Sequence, residues 1–273
     1  MLIRPRRPNY GLRRIVALAV VVAFAFAGWR IASGVGSLFR SHAKSDSSTG
    51  SSPRQPSPSA TVVEPPKCTT DSELTSHRGY AQWDQTLLDT RLHLPAAYAP
   101  PDLVPVTRAG FPGADGRFEV RAILVQDLSA LRKAAATAGN PIEIEASYRS
   151  FDAQRSLYDR RKGAPGQGDA LATTARPGHS EHQLGTAIDF KSKGAVDVSA
   201  AWSSTPTGQW MEQNGYRYGF VESYPAGAEA FTCYPYEPWH YRYFGRALAK
   251  KIHDTGLTTR EYLWNEQHGG PAF

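Results

Sequence analysis

Three observations predict an α+β fold. Segments with helical periodicity and segments with strand alternation are interspersed in no regular order. Long irregular stretches separate them, so regular βαβ units are absent from the pattern. About 200 residues remain after two atypical N-terminal segments, enough for one domain with a real core.

The elements follow in chain order. Residues 68–112 combine a helix over 80–88 with a Pro-rich extended arm over 94–106. Leu124, Leu128, Leu131 and Ala135, at three- and four-residue spacing, predict an amphipathic helix over 121–138 that ends at Gly139. Residues 142–146 alternate apolar and acidic, as a strand does. Ser150 caps a helix running to about 162, with Asp152 at its positive end. A strand is expected over 186–191. Pro206 suits the first turn of a helix ending near Asn214 and Gly215, where the glycine supplies a left-handed stop. Strands over 218–224 and 239–244 and helices over 246–255 and 259–268 complete the list.

The formal charge of +6 is unevenly spread. Residues 1–44 hold eight of the 31 basic residues and none of the 25 acidic ones, leaving 23 basic against 25 acidic downstream. A nucleic-acid binder keeps its basic excess on the folded domain, so that class is excluded. Arg-rich residues 1–14 precede an uncharged apolar run, residues 15–29. Fifteen residues of helix span about 22 Å, short of a ~30 Å hydrocarbon core, though Arg30 could snorkel and extend the span to about residue 40. Residues 1–40 are therefore expected to be a signal-anchor holding the chain at a membrane, with a signal peptide cut at Ala27-Gly28 as the alternative. Either places the remainder outside the cytoplasm. Residues 41–66 contain sixteen Ser, Thr, Gly or Pro and only Val62 and Val63 as large apolar side chains. Such a stretch buries too little to order itself and is expected to be a linker, leaving 67–273 as the domain.

Only two cysteines are present, Cys68 and Cys233. In an oxidising compartment they are expected to form one disulfide, closing a loop worth about 4–5 kcal/mol in the chain-entropy account. No signal for oligomerisation is visible, so a monomer is expected.

The chemistry-bearing residues crowd into two segments, PGHSEHQLGTAID at 177–189 and YEPWHYRYFG at 236–245. A hydrolytic zinc site needs three His or carboxylate ligands, an open position for water, and a carboxylate base that is not a ligand. His182, Asp189 and His240 can supply the ligands and Glu237 the base. Gly185 permits the turn that brings His182 and Asp189 to one ion. Strand alternation puts Asp189 opposite the Ile188 and Phe190 face, and puts His240 and Arg242 opposite the aromatic face of Trp239, Tyr241 and Tyr243. Pro238 keeps Glu237 out of a helix, in the loop before the strand. His179 is a rival ligand, its alternative being to hold the loop.

The run from Tyr148-Arg149-Ser150 to Gln154, then Ser180-x-His182-x-x-Gly185-x-Ala187-x-Asp189, then Glu237-x-x-His240 resembles the VanY-type D-alanyl-D-alanine carboxypeptidases. These are zinc peptidases of the fold shared with the Hedgehog signalling domain, so the resemblance implies a small antiparallel sheet flanked by helices. The likeness covers roughly residues 80–244. It implies one zinc held by His182, Asp189 and His240, Glu237 as catalytic base, and Arg149 as the cation facing the substrate's carbonyl or terminal carboxylate. Within the motif Gln154 and Ser180 are candidate substrate contacts, and Trp239, between base and ligand, a candidate pocket wall. Arg149 could instead pair with Asp152 or Glu145. The implied substrate is the peptidoglycan stem peptide. L,D-carboxypeptidase or D,D-dipeptidase activity on the same site, and a non-catalytic wall-binding domain, are the alternatives.

Overall fold

The computed structural model describes residues 62–112, 116–162, 174–196 and 198–273. The apolar run at 15–29 and most of the linker lie outside them. No helix among the described residues is long and apolar enough to cross a membrane. The strands are β1 (Glu73–Leu74), β2 (Leu92–His93), β3 (Leu103–Pro105), β4 (Glu119–Arg121), β5 (Ile142–Ala146), β6 (Ala187–Ser192), β7 (Phe220–Glu222) and β8 (His240–Tyr243). The helices are α1 (Val125–Thr137), α2 (Phe151–Lys162), α3 (Pro206–Asn214), α4 (Glu229–Thr232), α5 (Arg246–Thr255) and α6 (Thr259–Gln267).

The site is carried by a four-stranded antiparallel sheet of order β5-β6-β8-β7. Its register sets Asp189 directly opposite His240, and Ala187 opposite Arg242. Ile144, Ile188, Phe190, Phe220, Tyr241 and Tyr243 form one face and bury against Leu124, Leu128, Leu131 and Ala135 from the α1 region and Met211 of α3. The expected alternation therefore holds in β6 and β8. α1 ends before Gly139, whose φ of 76° makes the left-handed stop. Ser150 Oγ accepts from the Ala153 N–H at 3.2 Å, capping α2.

Four expectations are corrected. Residues 80–88 form only a short 3₁₀ turn at Tyr80–Gln82, because the carbonyls of Trp83 and Thr86 accept from the buried Arg242 guanidinium instead of continuing a helix. Gly215 is not a left-handed stop. Its φ is −50°, the chain continues as a 3₁₀ turn (Gly215–Tyr218), and Gly219 makes the stop at φ 91°. A Cβ on Gly215 would lie 3.1 Å from the Phe220 carbonyl and 3.2 Å from the Tyr241 ring, so close approach selects the glycine there. The strand expected over 218–224 shortens to β7, since 215–218 is consumed by that turn. Finally, the end of the stretch assigned to the linker is packed on the domain. Val62 lies against the cluster of Leu87, Phe244 and Ile252, the Val63 N–H donates to Asn265 Oδ1 at 3.1 Å, and Pro66 O accepts from Arg260 at 3.0 Å. Val62, one of the two large apolar side chains of that stretch, has a surface to cover.

Cys68 and Cys233 form a disulfide, with Cα atoms 5.3 Å apart. It ties the start of the domain to the segment leading into Glu237.

Candidate active site

Two backbone devices bring the first segment to the second. Ser180 Oγ accepts from the His182 N–H at 3.4 Å and opens a 3₁₀ turn (Glu181–Leu184) that ends at Gly185, φ 72°. A Cβ there would sit 2.9 Å from Arg121 Cγ, so the reversal requires glycine. The chain then enters β6, and the β6–β8 pairing delivers Asp189 to His240. Pro238 and the Glu237 N–H bond to Tyr224 O, 3.1 Å, hold Glu237 in the loop before β8.

His182 Nε2 lies 3.3 Å from Asp189 Oδ2, and His240 Nδ1 lies 2.9 Å from Asp189 Oδ1. The two imidazoles meet edge to face at 4.9 Å. One atom from each of His182, Asp189 and His240 falls within 4.8 Å of the others, the only such buried group among the described residues. The remaining ring nitrogens are engaged. His182 Nδ1 donates to Ser147 O at 2.8 Å, and His240 Nε2 faces Glu181 Oε2 at 3.0 Å. Two imidazole nitrogens, each ring oriented by a further hydrogen bond, and one carboxylate are a donor set that zinc accepts. Glu237 stands beside this group without joining it, its carboxylate 3.9 Å from His240 Nδ1.

The charges are strongly biased. Burial alone would raise Asp189, but His182 and His240 outweigh it and hold the carboxyl well below its usual range. Burial lowers His182. It would lower His240 also, yet hydrogen bonds to Asp189 and Glu181 prevail and raise that imidazole to about 10. Glu181 is held near 2, because Arg242, His240 and Ser223 overcome burial. Burial pushes Glu237 up to about 7, a range suited to trading protons near neutrality.

Arg149 and Gln154 line the same cleft as His182, Asp189, His240 and Glu237, with Ser180, Tyr224 and Tyr234. Arg149 Nη1 donates to Gln154 Oε1 at 2.9 Å, and Gln154 Nε2 donates to Ala175 O at 2.6 Å. Neither acid proposed as a partner for Arg149 takes it: Asp152 pairs with Arg155 at 3.0 Å and Glu145 with Lys191 at 2.7 Å.

A sequence profile described as VanY, D-alanyl-D-alanine carboxypeptidase, matches residues 117–246. The solved LdcB LD-carboxypeptidase is 31% identical with a TM-score of 0.60, covering 70% of this chain and 94% of that one. The chain belongs to the VanY family. Two further relatives extend the likeness. The VanY D,D-pentapeptidase of a VanB-type vancomycin-resistance cassette, solved with Zn(II), is 29% identical at a TM-score of 0.55, covering 66% of this chain and 99% of that one. YodJ of Bacillus subtilis (strain 168), provisionally named a carboxypeptidase, is 36% identical over 65% of this chain and 66% of its own length. This chain spans 35% to 66% of the length of five curated relatives.

Within this VanY-family domain, two sequence-predicted residues stand apart from the cluster. His179 is buried, its Nδ1 bonded to Asp89 O at 2.8 Å, and it holds the loop. Trp239 packs against the apolar core and does not line the cleft, because its place in the strand alternation puts it with Tyr241 and Tyr243. The motif reading overlooked Glu181, Tyr224 and Tyr234. Arg242 was the available signal for Glu181, since a cation on His240's strand face, facing inward, requires a buried anion.

Proposed function

We propose that this chain is a zinc-dependent carboxypeptidase that removes the C-terminal D-alanine from peptidoglycan stem peptides, with one zinc per domain. The observation that carries the proposal is the convergence of His182, Asp189 and His240 beside the unliganded Glu237, in a cleft that also contains Arg149. Zinc bound by those three residues supplies a Lewis acid that acidifies a water and polarises the scissile carbonyl. Glu237 takes the proton of the attacking water and returns it to the departing amine. Arg149, steadied by Gln154, pairs with the terminal carboxylate or with the charge developing on the carbonyl oxygen. A cation in the cleft shared with Glu237 favours a chain end over an internal bond.

L,D specificity is the second reading, favoured by the LdcB likeness. The Arg-rich segment ahead of the apolar run 15–29, and a disulfide of the kind that persists outside the cytoplasm, support an extracytoplasmic enzyme anchored by that run.

The test offers stem peptides ending as pentapeptide or tetrapeptide, and free D-alanyl-D-alanine, to the purified chain while its metal content is measured. D-alanine released from the pentapeptide, abolished by a chelator and restored by zinc, is expected. Release from the tetrapeptide instead transfers the assignment to L,D-carboxypeptidase, and cleavage of the dipeptide alone to dipeptidase. Release that ignores the chelator overturns the zinc mechanism.

A further inference from the structure

Glu181 performs no step in the hydrolysis above, yet its carboxylate is almost wholly enclosed, 4% exposed. Its Oε2 accepts from Ser223 Oγ at 2.7 Å and faces His240 Nε2 at 3.0 Å. Its Oε1 accepts from Arg242 Nη1 at 2.9 Å. Arg242 is fully buried, donates through Nη2 to Trp83 O and Thr86 O at 2.7 Å each, and lies 4.5 Å from the Phe244 ring centre. Neither Glu181, Ser223 nor Arg242 lines the cleft. The register explains how the arginine is housed: Ala187, its partner across the β6–β8 ladder, leaves that side of the sheet unfilled by a larger side chain.

We infer that Glu181 is a positioning residue for the cation site, holding the Nε2–H of His240 so that Nδ1 faces Asp189 and His182, with Arg242 as its buried counter-charge; this rests on His240 being a metal ligand, as proposed above. A strand fixes the Cα of a histidine but leaves the ring a broad, two-fold torsion. An acceptor behind the ring selects one orientation and one tautomer, and a carboxylate strengthens the other nitrogen as a donor. The two histidines are thus mounted differently. His182 is backed by the neutral Ser147 carbonyl, and His240 by a full negative charge that three donors surround. Removing that charge weakens the grip on the ion without touching the cleft.

The test compares the full chain with Glu181→Gln for zinc affinity by chelator competition, the visible spectrum of the Co(II)-loaded protein, and the melting point of the metal-free protein. The expected result is a zinc dissociation constant raised about 10–100-fold, with shifted Co(II) bands. A merely structural role lowers the melting point and leaves the Co(II) bands in place. Because the single substitution leaves the Arg242 cation uncompensated, the double variant Glu181→Gln, Arg242→Met removes both charges together, and the same loss of affinity is expected of it. Either variant, folded and binding zinc within twofold of the parent with an unshifted Co(II) spectrum, overturns the inference. A parent chain that binds no zinc overturns the proposed function instead.

Discussion

On one face of the four-stranded sheet, Ile188, Phe190, Tyr241 and Tyr243 bury against α1 and α3; on the other, the same two strands present Ala187, Asp189, His240 and Arg242. Neighbouring residues of one strand thus serve opposite ends. The apolar face is held by area removed from water, which is non-directional and indifferent to pH. The polar face encloses ions, each matched to a partner at 2.7–3.3 Å. Buried ion pairs of this kind contribute little net stability compared with apolar residues of the same volume. Their place in the fold is therefore explained by what they hold in position. Rigidity comes from one side of the sheet and reactivity from the other, and substitutions should separate the two.

The largest effect belongs to the polar face. Glu237→Gln should retain zinc and melting temperature while hydrolysis falls roughly 10²–10⁴-fold. The parent's kcat/KM should decline as pH drops, since a protonated Glu237 accepts nothing. Burial places that carboxyl near 7 without a cation, and an adjacent cation moves the limb lower. Wild-type turnover by the Gln variant, with metal content measured alongside, would remove Glu237 from the mechanism.

The apolar face should respond in the opposite sense. Phe190 is fully buried, with ring centres of Phe220 and Tyr241 each 5.9 Å away. Phe190→Ala is expected to cost about 3–5 kcal/mol in denaturant unfolding. Zinc affinity per folded molecule should stay within about twofold, because Phe190 points away from the cation site beside its neighbour Asp189. A large loss of affinity in the folded variant would mean that the two faces are coupled through the strand, and the division drawn above would fail.

This division explains what was legible in the amino-acid order. Period-two alternation separates Asp189 from Phe190 and His240 from Tyr241 without any coordinates, and Gly185 marks the reversal between two ligands. The same alternation argued against Trp239 as a cleft residue, although its place between Glu237 and His240 suggested otherwise. Contacts that cross the fold left little local trace. His240 meets Glu181 across 59 residues, and Arg242 reaches carbonyls more than 150 residues away at Trp83 and Thr86, where it also replaces an expected helix. Gly215 showed the same limit: its reason is a carbonyl and a ring arriving from β7 and β8.

His179 sharpens the comparison from a third position, since it stands three residues before His182 and is kept neutral chiefly by burial, with no carboxylate bonded to its ring. Its Nδ1 donates to Asp89 O, while the Asp89 side chain is occupied by Arg260 and by the N–H groups of Arg91 and Leu92. Burial, with smaller help from Arg176 and His93, pushes His179 down to about 4 from an ordinary 6.5. The unfolded chain therefore binds a proton that the folded chain refuses between those values. Stability should be complete above about pH 6.5 and fall as pH drops toward 4, by at most about 3 kcal/mol at 1.36 kcal/mol per unit. Below 4 both states are protonated and this contribution stops changing. His179→Gln preserves a donor for Asp89 O but does not titrate. Denaturant unfolding of parent and variant at pH 7.5 and 4.5, with chelator present so that loss of a cation does not contribute, should show a shallower acid decline in the variant. Equal declines would place the acid sensitivity in the ion-filled face instead, with His182 as the group that must charge.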